Sequence, residues 1–142
     1  MSEAATAAEL AALLATVPVA REHGFRLVSA AEGRCTVEVP FSPAIERPGG
    51  VIAGPIFMAA ADVTMWLAIL SRLGAEDRSV TTHLDTTFVA AARREGFRCS
   101  ARVLRLGARL VHGVAECAAS GGRLLTYHTI TYVRSGAPDA AQ

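Results

Sequence analysis

The sequence predicts an α+β domain in which an antiparallel sheet curls around one long central helix. Three observations carry that expectation. Residues 51–70 form an apolar run interrupted by a single charge, Asp62. Four strand-like segments follow, at 80–89, 97–106, 110–119 and 124–133. The breaks between them are short and rich in turn-forming residues: Arg93-Arg94-Glu95-Gly96, Gly107-Ala108 and Ser120-Gly121-Gly122.

The elements can be justified in chain order. Residues 4–14 are rich in Ala, Leu and Glu and read as a short helix packed on the rim, ending before Pro18. Residues 25–31 alternate in polarity, and Gly33 turns the chain into a second strand. There Cys35, Val37 and Val39 face one way and Thr36 and Glu38 the other, so the pair is a hairpin. Residues 41–53 carry Pro43, Pro48, Gly49 and Gly50 and form a loop into the central helix, a place where sites are commonly built. The helix has visible ends: Gly54 suits the N-cap, Pro55 the first helical position, Arg72 the negative end of the dipole and Gly74 a left-handed residue beyond the last turn. From Pro55 to Leu73 it extends about 28 Å. The short connections after it predict consecutive antiparallel pairing of the four strands. Residues 1–22 are thus a helical lead-in, 23–134 the sheet-and-helix domain and 135–142 a disordered tail.

Apolar residues occupy nearly every face of the central helix, which predicts burial. A bilayer span is the competing reading of such a length. An Asp at mid-span costs about 2.5 to 3.5 kcal/mol even on lenient insertion scales, and the downstream strands need a helix to cover them. Asp62 lies two turns in, too deep to cap, and helical spacing aligns it with Met58, Met65, Trp66 and Ile69. A carboxylate there needs donors around it, or its charged form is disfavoured.

The chain has 142 residues, half of them apolar, and a net charge of +1, which supplies no electrostatic footprint for nucleic acid. The first residues lack the basic flank and apolar core of a signal peptide, so a cytoplasmic location is the expectation. Cys35, Cys99 and Cys117 each fall among apolar strand residues and read as buried reduced thiols. His23, His83, His112 and His128 show no metal-ligand spacing, and no Gly-x-Ser-x-Gly motif is present.

In this order of elements the chain resembles the hotdog fold, and more narrowly the PaaI-type acyl-CoA thioesterases. That family carries an Asn-containing loop, a His-Gly-Gly at the helix start and an Asp seven residues beyond the second Gly. Counting back from Asp62 places Ala53-Gly54-Pro55 on the His-Gly-Gly and Arg47 on the Asn. Residues 79–89 match the third strand of the family and 91–96 its turn. The resemblance covers residues 25–133. It implies that Asp62 is the catalytic carboxylate, acting as general base on water or as nucleophile on the thioester carbonyl, and that the Gly54 NH polarises that carbonyl. It implies that Thr81 positions water near an Asp of a neighbouring subunit, and that Arg93, Arg94, Arg105 and Arg109 lie near the nucleotide of coenzyme A. Met58, Met65 and Trp66 are the residues expected beside the acyl chain. No metal or redox cofactor is implied, coenzyme A being part of the substrate, and the partner is a second copy of the chain in a homodimer or homotetramer.

Each of these residues also has a plain structural account. Asp62 could tie loop to helix through hydrogen bonds, Gly54-Pro55 is an ordinary helix start, and Thr81 suits a strand. His83 and Asp85 share the face of Thr81, opposite Leu84 and Phe88. Two departures separate the chain from the family pattern: Ala53 stands in place of the His and Arg47 in place of the Asn. Arg47 can hydrogen-bond a carbonyl but cannot accept a proton from water. A hydratase of this fold needs a His near its Asp, and none lies between His23 and His83. The remaining alternative to a hydrolase is a non-catalytic acyl-CoA-binding or assembly module.

Overall fold

The computed structural model describes residues 3–134; the expected tail at 135–142 lies outside the described residues. Helix α1 (Ala7–Leu14) starts at Thr6, whose hydroxyl accepts from the Glu9 amide while the Glu9 carboxylate accepts from the Thr6 amide, a reciprocal capping box. Thr6→Ala is therefore expected to cost about 1 kcal/mol, read as a lower urea midpoint at unchanged slope. Pro18 does more than follow a helix: it opens a second one, α2 (Pro18–His23), because its fixed φ suits a first turn, and Gly24 closes α2 at φ 71°. The Ala5 amide bonds the Leu70 carbonyl, tying this lead-in to the central helix.

Strands β1 (Arg26–Ala31) and β2 (Arg34–Val39) form the expected hairpin. The loop that follows contains a 3-10 turn (Pro43–Ile45) and a minimal hairpin of β3 (Glu46–Arg47) and β4 (Val51–Ile52). Helix α3 (Gly54–Leu73) is one residue longer than expected, with Ala53 as its N-cap and Gly54 as its first residue. Then come β5 (Val80–Phe88), β6 (Phe97–Leu106), β7 (Leu110–Ala119) and β8 (Leu124–Val133).

All six long strands make one antiparallel sheet in the order β1-β2-β6-β7-β8-β5. Consecutive pairing holds for β6, β7 and β8, but β5 pairs with β8 at the far edge instead of with β6. Residues 89–96 make this possible. They are too long for a tight hairpin and cross the open end of the curled sheet, bonding the Leu125 carbonyl through the Val89 and Ala90 amides and the Ile52 amide through the Ala92 carbonyl.

The inner face of the sheet closes on α3, whose Phe57, Ala60, Ala61, Leu67, Ala68, Ile69 and Leu70 are buried. By length and composition α3 could cross a bilayer, yet the sheet packs along it as a core helix. The burial is one-sided, contrary to the expectation of an all-round buried helix. Pro55 and Met58 are exposed and Asp62 and Trp66 half-buried, which leaves an open stripe at helical spacing. Met65 departs from its expected place beside substrate: it is 1% exposed and packs in the core under β7, where a Cβ on Gly113 would come within 2.3 Å of its Cε. All three cysteines are buried and free. Burial pushes the Cys35 thiol up to about 12, an inert group at neutral pH.

Candidate active site

Asp62 meets the sheet where β5 and β8 run past the middle of α3. Its Oδ1 accepts from the Thr81 hydroxyl at 2.7 Å and from the Tyr132 hydroxyl at 2.9 Å. Tyr132 also lies 3.0 Å from the Asp62 main-chain carbonyl, so its single hydroxyl proton is shared between a side-chain and a backbone acceptor of the same residue. Burial first, and the Asp62 charge second, hold the Tyr132 phenol far above its usual range, which keeps its proton in place for donation. Among the described residues nothing donates to Asp62 Oδ2.

Thr81 reaches Asp62 through an irregularity in β5. The register opposite β8 pairs Thr81 with Tyr132 and then His83 with Thr131, leaving Thr82 as the extra residue of a bulge. Thr81 therefore lies on the helix-facing side with Leu84, Thr86 and Phe88, while His83 and Asp85 point to the outer face. The sequence-based grouping of Thr81 with His83 and Asp85 fails for that reason: alternation is shifted by one at Thr82. The Thr81–Asp62 bond lies within one chain and requires no neighbouring subunit.

Beside this cluster is an open cavity of about 280 Å³ whose apolar walls are Val17, Val63, Trp66 and Val80. Trp66 lines this cavity, and Val17 brings the helical lead-in to it. Met58 lies on the open stripe nearer the helix start.

Gly54 is at the first turn of α3, where amides have no intrahelical acceptor and the helix dipole is positive. The Ala53 amide bonds the Ile45 carbonyl at 2.8 Å, which fixes the chain as it enters the helix. A Cβ on Gly54 would lie 3.2 Å from the ring of Phe88, an exposed side chain stacked edge-on against Phe57. Gly54→Ala is accordingly expected to displace the Phe88 ring, seen as a changed chemical shift of its ring protons, with at most about 1 kcal/mol lost from stability.

The arginines divide into two groups. Arg93 donates to the Gly49 carbonyl at 2.8 Å and Arg47 to the Pro48 carbonyl at 2.6 Å, so both brace the turn that precedes Gly54, with Arg94 next in the chain. Arg109 and Arg105 are at the other end of β6, about 30 Å away for a strand of ten residues. The expected single cluster of Arg93, Arg94, Arg105 and Arg109 does not form within one chain, because the length of β6 separates its halves. His128 is also accounted for: it is fully buried between Thr86 at 2.8 Å and Thr126 at 2.7 Å, a satisfied core histidine.

Sequence reasoning did not find Tyr132. The available signal was a Tyr on the buried face of an alternating strand, whose hydroxyl must find a partner.

Residues 49–127 match the thioesterase superfamily. The chain belongs to that superfamily. A protein of Saccharolobus solfataricus, provisionally described as an esterase, is 32% identical over 99 residues, covering 70% of each chain. A structure from Silicibacter, provisionally described as a thioesterase, superposes with a TM-score of 0.83 at 28% identity, covering 94% of both chains. A hypothetical thioesterase of Streptococcus pneumoniae, solved with coenzyme A, has the same fold at a TM-score of 0.73 and 13% identity, covering 79% of this chain and 86% of that one. The six-stranded sheet around α3 is the hotdog fold of this superfamily.

Proposed function

We propose that the protein hydrolyses acyl-CoA thioesters, with Asp62 as general base or nucleophile and the Gly54 NH as oxyanion donor, in the manner of the PaaI-type enzymes. The observation that carries this reading is the held carboxylate: Asp62 on an apolar helix, one oxygen taken by two hydroxyls and the other with no donor among the described residues, beside an apolar cavity. The coenzyme A bound by the pneumococcal relative supports the same class of leaving group. Arg47, Arg93 and Arg94 near the helix start are the cations suited to its phosphates.

The reading also calls for a second copy of the chain. Gly54 and Asp62 are eight residues apart on α3, a rise of about 12 Å, too far for one carbonyl carbon to reach both. A site that uses both groups takes Gly54 from one copy and Asp62 from another. The open stripe on α3 and the unpaired outer edge of β5 are the surfaces for that pairing.

The test is thiol release from a panel of short, long and aryl acyl-CoA thioesters. Turnover on any of them is the expected result. Binding without turnover across the panel would favour the acyl-CoA-binding module, to which the replacement of the family His and Asn by Ala53 and Arg47 points.

A further inference from the structure

We propose that Tyr132 is a positioning residue for Asp62, locking the carboxylate so that Oδ2 alone is left to act; this rests on the hydrolase reading above. A free aspartate on a helix exchanges rotamers and presents either oxygen. Here the Tyr132 hydroxyl lies within hydrogen-bond distance of both Oδ1 and the carbonyl of Asp62 itself, which ties the side-chain torsion to the helix backbone. Thr81 reaches the same Oδ1 from β5. The two hydroxyls arrive from adjacent strands, paired directly in register as Thr81↔Tyr132, so the carboxylate is held from one side only. Tyr132 is packed in the core at 3% exposure, whereas Thr81 is on an edge strand. The packed member of the pair sets the geometry, and reactive groups lose rate steeply when their placement loosens.

The clamp also separates the two oxygens chemically. Oδ1 shares its lone pairs with two donors and is the poorer base. Oδ2 keeps its lone pairs for water or for the thioester carbon.

The experiment compares wild type with Tyr132→Phe, Thr81→Val, the double variant and Asp62→Asn in steady-state thiol release, with thermal melting of each. Tyr132→Phe keeps the ring and loses only the hydroxyl. It is expected to lower kcat about tenfold, the worth of one hydrogen bond to a charged acceptor, with KM and melting temperature little changed. The double variant is expected to lose less than the product of the single losses, because both hydroxyls act on one oxygen. A Tyr132→Phe kcat equal to wild type, with Asp62→Asn inactive, would overturn the positioning role and leave the hydrolase reading intact. A raised KM at unchanged kcat would overturn it too, by showing that the hydroxyl contacts substrate directly. Wild-type turnover in Asp62→Asn would overturn both.

Discussion

Asp62→Asn is expected to lower kcat for thioester hydrolysis by about 10³-fold while leaving the fold intact. The amide has the shape of the carboxylate, and its oxygen can still accept from Thr81 and Tyr132 in the place of Oδ1. The amide nitrogen then replaces Oδ2. That atom can neither take a proton from water nor attack a carbonyl, so either role assigned to Asp62 is lost. Stability moves in a different direction from activity. A half-buried charge on a helix otherwise apolar at its centre is replaced by a neutral group, so the urea midpoint is expected to hold or rise slightly. Retained stability with lost turnover separates a catalytic carboxylate from one that only fastens α3 to β5 and β8. Turnover within twofold of wild type would remove Asp62 from the reaction.

Gly113→Ala is expected to destabilise the protein by about 2 kcal/mol, read as a drop in the urea midpoint. The glycine lies on the inner face of β7, where an added Cβ would stand 2.3 Å from Met65 Cε, 2.7 Å from its Sδ and 2.8 Å from the Arg102 carbonyl oxygen. The thioether is flexible and can move; the carbonyl belongs to a strand paired on both sides and cannot. Met65→Ala alone opens a cavity and costs about 2 to 5 kcal/mol. Combined with Gly113→Ala it is expected to cost less than the sum, since the new methyl takes part of the vacated space. Strict additivity would show that the carbonyl contact, and not Met65, dominates the strain. The glycine is the means by which α3 approaches the sheet closely, and the bulk of Met65 is spent there instead of beside substrate.

Much of this architecture was legible in the residues. The alternation of β6, β7 and β8 placed their bounds without error, and Pro55 and Gly74 bracketed α3 to within a residue. Asp62 stood out because a lone charge in an apolar helix has to be explained. Other features depended on information that local patterns do not carry. Strand order depends on where a connection goes, and residues 89–96 cross the end of the sheet, which takes β5 to the far edge beside β8 instead of to β6. Which face of α3 stays open could not be read from a helix apolar on nearly every side. Tyr132 lies seventy residues from Asp62, and only the curled sheet brings the two together.

The bulge at Thr82 makes the site depend on how β5 pairs as well as on its chemistry. Deleting that one residue would leave Thr81 opposite Tyr132 and facing Asp62, whereas keeping it in unbroken alternation with β8, without the bulge, would swing Thr81 to the outer face and away from Asp62. The site thus requires that Thr82 stay out of the pairing, whatever its side chain.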